Sequence, residues 1–433
     1  MSQATIAIII LISVFFILMI LRLGIGFSMA VATIITMKYL KLNISVVFQG
    51  MVAGTKSYSF LAVPFFIFAG DIMSAGGISE RLIEFSKALV GWTRGGGAFV
   101  NVVASMFFGG ISGSATGDIA ALGPMEMSLM TSQGYDQEYS AALTLASSIQ
   151  GMLIPPSHNL VIFAVAAGSV SIGALLMGGL FPGIVLGIIL MIYSYFYAVK
   201  HDIKACAKFD LKRLLKSGLM AFWGLITILI IVLGVNKGIM TTTESAGIAT
   251  VWALIVSLFI YRQMKIRDYY KIAKKTVKTL GMTMILIAAS NSFGWIVSYL
   301  KIPSMVTNWL LNLTSNRYLI LLLVNMLLIF LGMIMSMSSI IIIITPILVP
   351  VLTALDISLV HFGVIMILNL GIGLLTPPVG GCLYVGSAVS GVAPRRLVKA
   401  LMPLYTVLFI ALMIMTYIPG ITLFLPRLLG YNV

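Results

Sequence analysis

The sequence predicts an all-α polytopic membrane protein with about 10 to 12 transmembrane helices in two inverted repeats, each holding a re-entrant helical hairpin and a helix broken at a Pro-Pro pair. Three observations predict it: an apolar composition, two short basic loops, and a Gly/Ser/Pro pattern that recurs in the second half. Of 433 residues, 60% are hydrophobic and only 9% charged, with a mean hydropathy of +1.11. A soluble domain carries about 25% charged residues, so this chain cannot enclose an aqueous-type core. Spans of roughly 20 apolar residues use up nearly all of it.

Charge orients the spans. The formal net charge of +15 suggests a polyanionic partner until its placement is read. Six Lys/Arg lie between Lys200 and Lys216 and seven between Arg262 and Lys278, so two short loops hold 13 of the 27 basic residues. Two apolar stretches, 218 to 237 and 241 to 261, separate the loops and place both on one side, which the positive-inside rule makes cytoplasmic. There they meet anionic headgroups of membrane lipids. No nucleic acid is expected as partner, because no basic face with groove-reading or aromatic elements accompanies the charge. Cys206 and Cys382 have no second thiol or histidine at metal-ligand spacing and read as ordinary thiols. Ala4 to Leu21 lacks a basic flank and a small-residue cleavage site, and reads as a retained span rather than a signal peptide.

Outward from these anchors the spans are 4 to 21, 22 to 40, 59 to 75, 138 to 170, 172 to 199, 218 to 237, 241 to 261, 281 to 300, 358 to 391 and 395 to 420. Two further apolar segments, 95 to 134 and 318 to 355, are interrupted by Gly109 to Asp118 and by Gly332 to Ser339. They read as hairpins that enter and leave on one side, since non-helical backbone at membrane depth survives only when buried in protein or lining a cavity.

Placed without a gap at an offset of 222, Phe108 to Pro156 matches Phe330 to Pro378 at Phe108/Phe330, Gly110/Gly332, Ser114/Ser336, Pro124/Pro346, Gly151/Gly373, Pro155/Pro377 and Pro156/Pro378. The matches fall on residues that are scarce here and break helices. The chain therefore divides into a first repeat, 1–200 (hairpin 95–134, broken helix 138–170), a basic cytoplasmic loop, 201–217, and a second repeat, 218–433 (hairpin 318–355, broken helix 358–391). Five crossings in the first repeat force the second to start from the opposite face. Charge agrees: Arg262 to Lys278 is far more basic than its counterpart Lys38 to Lys56, while Ile78 to Arg94 carries five charges and its counterpart Ile302 to Arg317 one. Inverted repeats with broken helices at the midplane are the mark of secondary transporters.

The breaks supply the chemistry. Proline lacks an N–H and collides with the carbonyl four residues back. Pro155 and Pro156 thus free the carbonyls of Gly151 and Met152, and Pro377 and Pro378 those of Gly373 and Leu374. Unpaired carbonyls and Ser/Thr hydroxyls are the ligands that discontinuous helices offer to sodium. Two pseudo-symmetric cation sites follow, one between Gly109 to Ser114 and Gly151 to Pro155, the other between Gly332 to Ser336 and Gly373 to Val379, where Thr376 adds a hydroxyl. Helix N-termini at the hairpin tips favour an anion, and Ser114, Thr116, Ser157, His158, Asn159, Ser336 and Ser338 complete a polar pocket suited to a small carboxylate. Asp71, Asp118, Glu138 and Glu244 are intramembrane or near-membrane acids that could relay protons; each stands near a predicted helix end, which favours reading them as solvated there. An alternative from another class is an intramembrane serine protease, with Ser112 of Gly110-Ile-Ser-Gly113 as nucleophile and His158 or His361 as base. It leaves the duplicated Pro-Pro breaks unexplained.

Gly109-Gly-Ile-Ser-Gly-Ser-Ala-Thr-Gly-Asp118, Ile154-Pro-Pro-Ser157 and Gly373-Leu-Leu-Thr-Pro-Pro-Val-Gly380 resemble the large membrane subunit of the tripartite ATP-independent periplasmic (TRAP) transporters, and the resemblance runs through essentially the whole chain. It implies an elevator-type fold of the ion-transporter superfamily, in which hairpins and broken helices move against a scaffold braced by lateral helices 44 to 57 and 262 to 280. It also implies sodium-driven uptake of an organic anion such as a C4-dicarboxylate, sialic acid or sugar acid across the bacterial inner membrane. The partners implied are a small four-helix membrane subunit and a periplasmic substrate-binding protein. Two or more Na+ ions are implied as cofactors, one at Gly109, Ser112, Gly151, Ile154 and Pro155 and another at Gly332, Gly373, Thr376 and Val379, mostly through backbone oxygens. His158-Asn159 stands where the family usually has an aliphatic or small residue.

Overall fold

The structure, a computed structural model, describes residues 2–21, 23–56, 61–236, 239–314 and 316–433. Every regular element among them is a helix. The starts of the sequence-predicted spans 22 to 40 and 59 to 75 and the end of 218 to 237 fall outside the described residues. Among the described residues seven helices are long and apolar enough to cross a bilayer, or up to nine if each of two sharply bent pairs is one span. This is fewer than the 10 to 12 expected. Gly96–Ser112, Arg317–Gly332, Leu359–Leu375 and Gly381–Ser390 are apolar but only 10 to 17 residues long. A 17-residue helix reaches only about 25 Å against a hydrocarbon core of about 30 Å.

Three packed groups organise the molecule. Gln3–Ile20, Ile25–Tyr39 and Ser45–Thr55 gather on the upper part of the 34-residue helix Ile266–Tyr299 around Leu11, Met29, Met37 and Ile296. Gly50 and Gly54 let Ser45–Thr55 lie directly on that long helix: a Cβ on Gly50 would come 2.9 Å from Ser292 Oγ, and one on Gly54 2.7 Å from Asn291 Cβ. A second group joins the bent pair Ala62–Ala75 and Ile78–Val90 (73° apart) to Leu211–Asn236 and Thr242–Ile255. The third and largest holds both broken helices, most of both hairpins, Ile172–Lys200 and Pro394–Tyr417. The expectation of a separate lateral helix at 262 to 280 is corrected here, because Ile266–Tyr299 runs unbroken through it into the predicted span 281 to 300. That stretch has no proline, and at the very start of the helix Asp268 Oδ2 accepts from Lys265 N–H at 3.2 Å.

The first hairpin consists of Gly96–Ser112, a tip at Gly113 and Ser114, and a return arm of Ala115–Ala121 and Gly123–Thr131. The second is Arg317–Gly332, a longer tip at Met333 to Ser336, and Met337–Ala354. The broken helices are in register at an offset of 222: Gln137–Leu153 ends where Leu359–Leu375 ends, each followed by a Pro-Pro turn and then by His158–Ala167 or Gly381–Ser390. Both proline-proline bonds are cis.

The hairpins open toward opposite ends of Ile172–Lys200. The base of the first lies beside the loop that follows Lys200, where Arg94 pairs with Asp202 at 2.7 Å, Cys206 N–H donates to Gly91 O and Tyr135 OH donates to Gly95 O. Burial in that junction pushes the Cys206 thiol above its ordinary value. The base of the second, at Arg317 and Asp356 to Ser358, shares a cavity of about 780 Å³ with Ser169 to Ser171, which begin the same helix.

Candidate functional site

Each hairpin presses its first arm onto the broken helix of its own half, and glycine is what permits the approach. Gly109 lies on Gly151 so closely that a Cβ on Gly151 would stand 2.9 Å from Gly109 Cα, and one on Gly109 would collide with Gly151 Cα. In the second half a Cβ on Gly332 would stand 3.1 Å from Gly373 Cα, and one on Gly373 2.7 Å from Gly332 Cα. The contact thus pairs Gly109 with Gly332, one residue away from the gap-free alignment that pairs Gly110 with Gly332. The second tip is two residues longer than the first, and the register slips where the arms end.

Buried polar ties repeat the junction one level deeper. In the first half Ser147 Oγ donates to Asn101 Oδ1 at 2.8 Å, and Asn101 Nδ2 donates to Thr144 Oγ1 at 2.6 Å. At the position matching Ser147, Asn369 Nδ2 donates to Asn325 Oδ1 at 2.8 Å and to Asn325 O at 3.0 Å, while Asn325 Nδ2 reaches Thr416 Oγ1 at 3.1 Å.

At the breaks, the carbonyls presented are not all those that proline geometry alone indicates. Met152 O accepts from Ser157 Oγ, and Gly373 O accepts from Thr376 N–H at 2.9 Å. Instead, Pro155 O faces Gly110 and Pro156 O faces Gly113, so the proline carbonyls themselves look at the first tip. In the second half the carbonyls of Leu374 and Thr376 lie under Gly380, and Val379 N–H donates to Met333 O at 3.0 Å, tying break to tip. The Thr376 hydroxyl donates to Ile372 O at 2.8 Å. Its proton is thereby committed and its lone pairs are left to accept or ligate. Ser112 Oγ lies 3.4 Å from Ser114 O and 3.3 Å from Ser114 N.

Two clefts meet between the tips. One of about 340 Å³ is lined by Ser114, Thr116, His158, Asn159, Ser336 and Ser338 among others, so both halves contribute. The N-termini of Ala115–Ala121, His158–Ala167, Met337–Ala354 and Gly381–Ser390 all open into it. Ser114 and Ser157 cap the two first-half helices by accepting from Gly117 N–H and Leu160 N–H. The two second-half helices have no side-chain cap, and Ser336 Oγ bonds Ser339 Oγ at 2.6 Å instead. Uncapped N–H groups and the positive end of each helix macrodipole therefore face the cleft, an arrangement that favours an anion.

The second cleft, about 490 Å³, shares Ser114, Thr116, His158 and Ser338 with the first and extends to Asp71, Lys275, Thr279 and Thr283. The last three are spaced by four residues on one face of Ile266–Tyr299. Asp71 takes Lys275 Nζ at 2.8 Å and Thr276 Oγ1 at 3.0 Å. Sequence reading placed Lys275 and Thr279 in a lateral helix and Thr283 in the span 281 to 300, and so missed that the three share the cleft; the Lys-Thr-Thr spacing was the available signal.

Other expectations fare differently. Ser157 is buried, occupied with Met152 O, and lines neither cleft, unlike its neighbours His158 and Asn159. Glu138 pairs with Arg396, and Glu244 closes a capping box with Thr241, as helix-end acids do. Asp118 is not solvated: the return arm turns it inward, and it is 1% exposed. The hydrogen bonds of Ser112 go to Ser114, and His361 is bonded to Thr422 and Thr416, so neither histidine is seen activating the serine among the described residues, and the protease reading is not supported.

Known proteins are similar to this chain. A family model described as the DctM component of tripartite ATP-independent periplasmic transporters matches residues 12–421. The chain is 39% identical to the sialic acid TRAP transporter large permease protein SiaM of Vibrio cholerae over 89% of its own length and 90% of the relative's. It is 38% identical to the C4-dicarboxylate TRAP transporter large permease protein DctM of Pseudomonas aeruginosa, over 87% and 88%. Among solved structures, the YdaH transporter of Alcanivorax borkumensis is similar in fold, with a TM-score of 0.64 over 86% of this chain and 88% of that one at 15% sequence identity.

Proposed function

Because the chain belongs to the DctM component family of tripartite ATP-independent periplasmic transporters, we propose that it drives uptake of a small organic anion with sodium. It is a multi-pass protein of the inner membrane. Its relatives are permeases for organic acids, which supports secondary transport over enzymatic work. The substrate class follows from the relatives' sialic acid and C4-dicarboxylate and from the helix N-termini at the central cleft. In this reading the carboxylate sits on the uncapped starts of Met337–Ala354 and Gly381–Ser390, with Ser114, Thr116, His158, Asn159 and Ser338 around it.

The observation that carries sodium coupling is the glycine-on-glycine junction made twice, once per half, each beside a Pro-Pro break: the first turns Pro155 O and Pro156 O toward its hairpin tip, and the second donates from Val379 N–H to Met333 O of its tip. One ion would lie among Gly109, Ser112, Gly151, Ile154 and Pro155, the other among Gly332, Gly373, Thr376 and Val379. Oxygen dipoles without formal charge suit a monovalent cation that must leave again on each cycle. Hairpins and broken helices would move as a body past Ile266–Tyr299, an elevator motion, with a small membrane subunit against the scaffold and a periplasmic binding protein delivering the ligand.

Thr376→Ala is expected to weaken the apparent sodium affinity of reconstituted uptake by about 1 to 2 kcal/mol, roughly five- to thirtyfold, while Thr376→Ser stays near wild type. A sodium titration superimposable on wild type in both variants would remove the hydroxyl from the site.

A further inference from the structure

Behind the tip of the first hairpin two carboxyl groups are sealed into the protein. Asp118, four residues beyond Ser114, is 1% exposed, and Glu126 on the next helix is 0% exposed. Neither has an ion-pair partner among the described residues. Both oxygens of Asp118 and Oε2 of Glu126 lack any hydrogen-bond donor, and Glu126 Oε1 receives one long bond, 3.4 Å, from Ser105 Oγ.

The surroundings are polar but carry no positive charge. Ser105 on Gly96–Ser112 touches Ser147 on Gln137–Ser148 at 3.1 Å, and Ser147 continues to Asn101 and Thr144. The titratable groups on the helices packed around the pair are Cys382, which faces Asp118; Tyr139, bonded to Ser194; Tyr384, bonded to Pro378 O; and Glu138, paired with Arg396. None of them neutralises a carboxylate here.

A buried carboxylate without a partner is strongly disfavoured, and two side by side also repel. Space-filling does not explain them. The gap-free offset of 222 puts Ile340 and Leu348 at the matching positions of the second hairpin, 1% and 2% exposed, so aliphatic side chains serve the same place in the other half. We propose that Asp118 and Glu126 form a proton-binding site in the body of the first hairpin, each carboxyl held neutral by its own proton, a site that the second hairpin does not have.

Infrared spectroscopy of the purified full chain in an ester-free detergent at neutral pH, in KCl and then in NaCl, tests this. Of the 12 acidic residues the other ten are not buried, so the C=O stretch of a protonated carboxyl reports on this pair. The expected result is a band present in both salts, weakened in Asp118→Asn and in Glu126→Gln and absent in the double variant. Because each amide mimics a neutral acid, the variants should fold. The wild-type spectrum decides even if they do not: its lacking the band overturns the proposal. A band that persists in the double variant overturns it too. So does a band lost when NaCl replaces KCl, which would assign the site to sodium.

Discussion

Gly109→Ala is expected to abolish sodium-dependent uptake and to lower the stability of the permease. The added methyl has no direction in which to relax, because what it meets is the backbone of Gly151 rather than the end of a flexible side chain. Arm and broken helix must separate, at a cost of about 1 to 3 kcal/mol for overpacking a tight interface. The functional loss should exceed what that figure implies, since cation ligands are drawn from both sides of the junction and move apart together. Gly373→Ala should behave likewise, its Cβ falling 2.7 Å from Gly332 Cα and 2.8 Å from Gly332 C. Thermal unfolding in detergent and uptake in proteoliposomes check both. Wild-type melting with wild-type sodium dependence in either variant would show that the close approach is incidental.

The second large effect is expected from Asn369→Ala. Asn369 is fully buried, and its amide donates two bonds to Asn325 on the facing hairpin arm. Truncation leaves Asn325 Oδ1 without that donor in the interior, a loss of about 1 to 3 kcal/mol. Reshaping the tie as Asn369→Ser should recover part of it, since Ser147 does this work in the first half by donating to Asn101. Equal melting temperatures for Asn369→Ala and wild type would dismiss the tie.

Much of this was readable from composition and spacing, and the failures have physical causes. The broken helices were legible because a Pro-Pro pair in an apolar run has few other interpretations, and the repeat was legible because its matches lie on residues that break helices. Hydropathy measures the polarity of a segment and not the length of its helix, so several apolar segments that read as spans are helices of only 10 to 17 residues. Ile266–Tyr299 was divided at its change from basic to apolar, although a helix needs no change of direction there. Lys275 and Thr279 were thereby separated from Thr283, and the face the three share on the cleft was missed. Asp118 was misplaced because periodicity within the hairpin cannot say which way the return arm turns after Ser114. Ser157 was drawn toward the pocket by its neighbours, whereas a serine before a helix caps it.

Reconstituted uptake with and without sodium tests the central claim most directly. Proteoliposomes holding the full chain, its small membrane subunit and the cognate binding protein loaded with its ligand should accumulate that ligand under an inward sodium gradient and fail to do so when potassium replaces sodium on both sides. Equal accumulation in potassium would contradict the account.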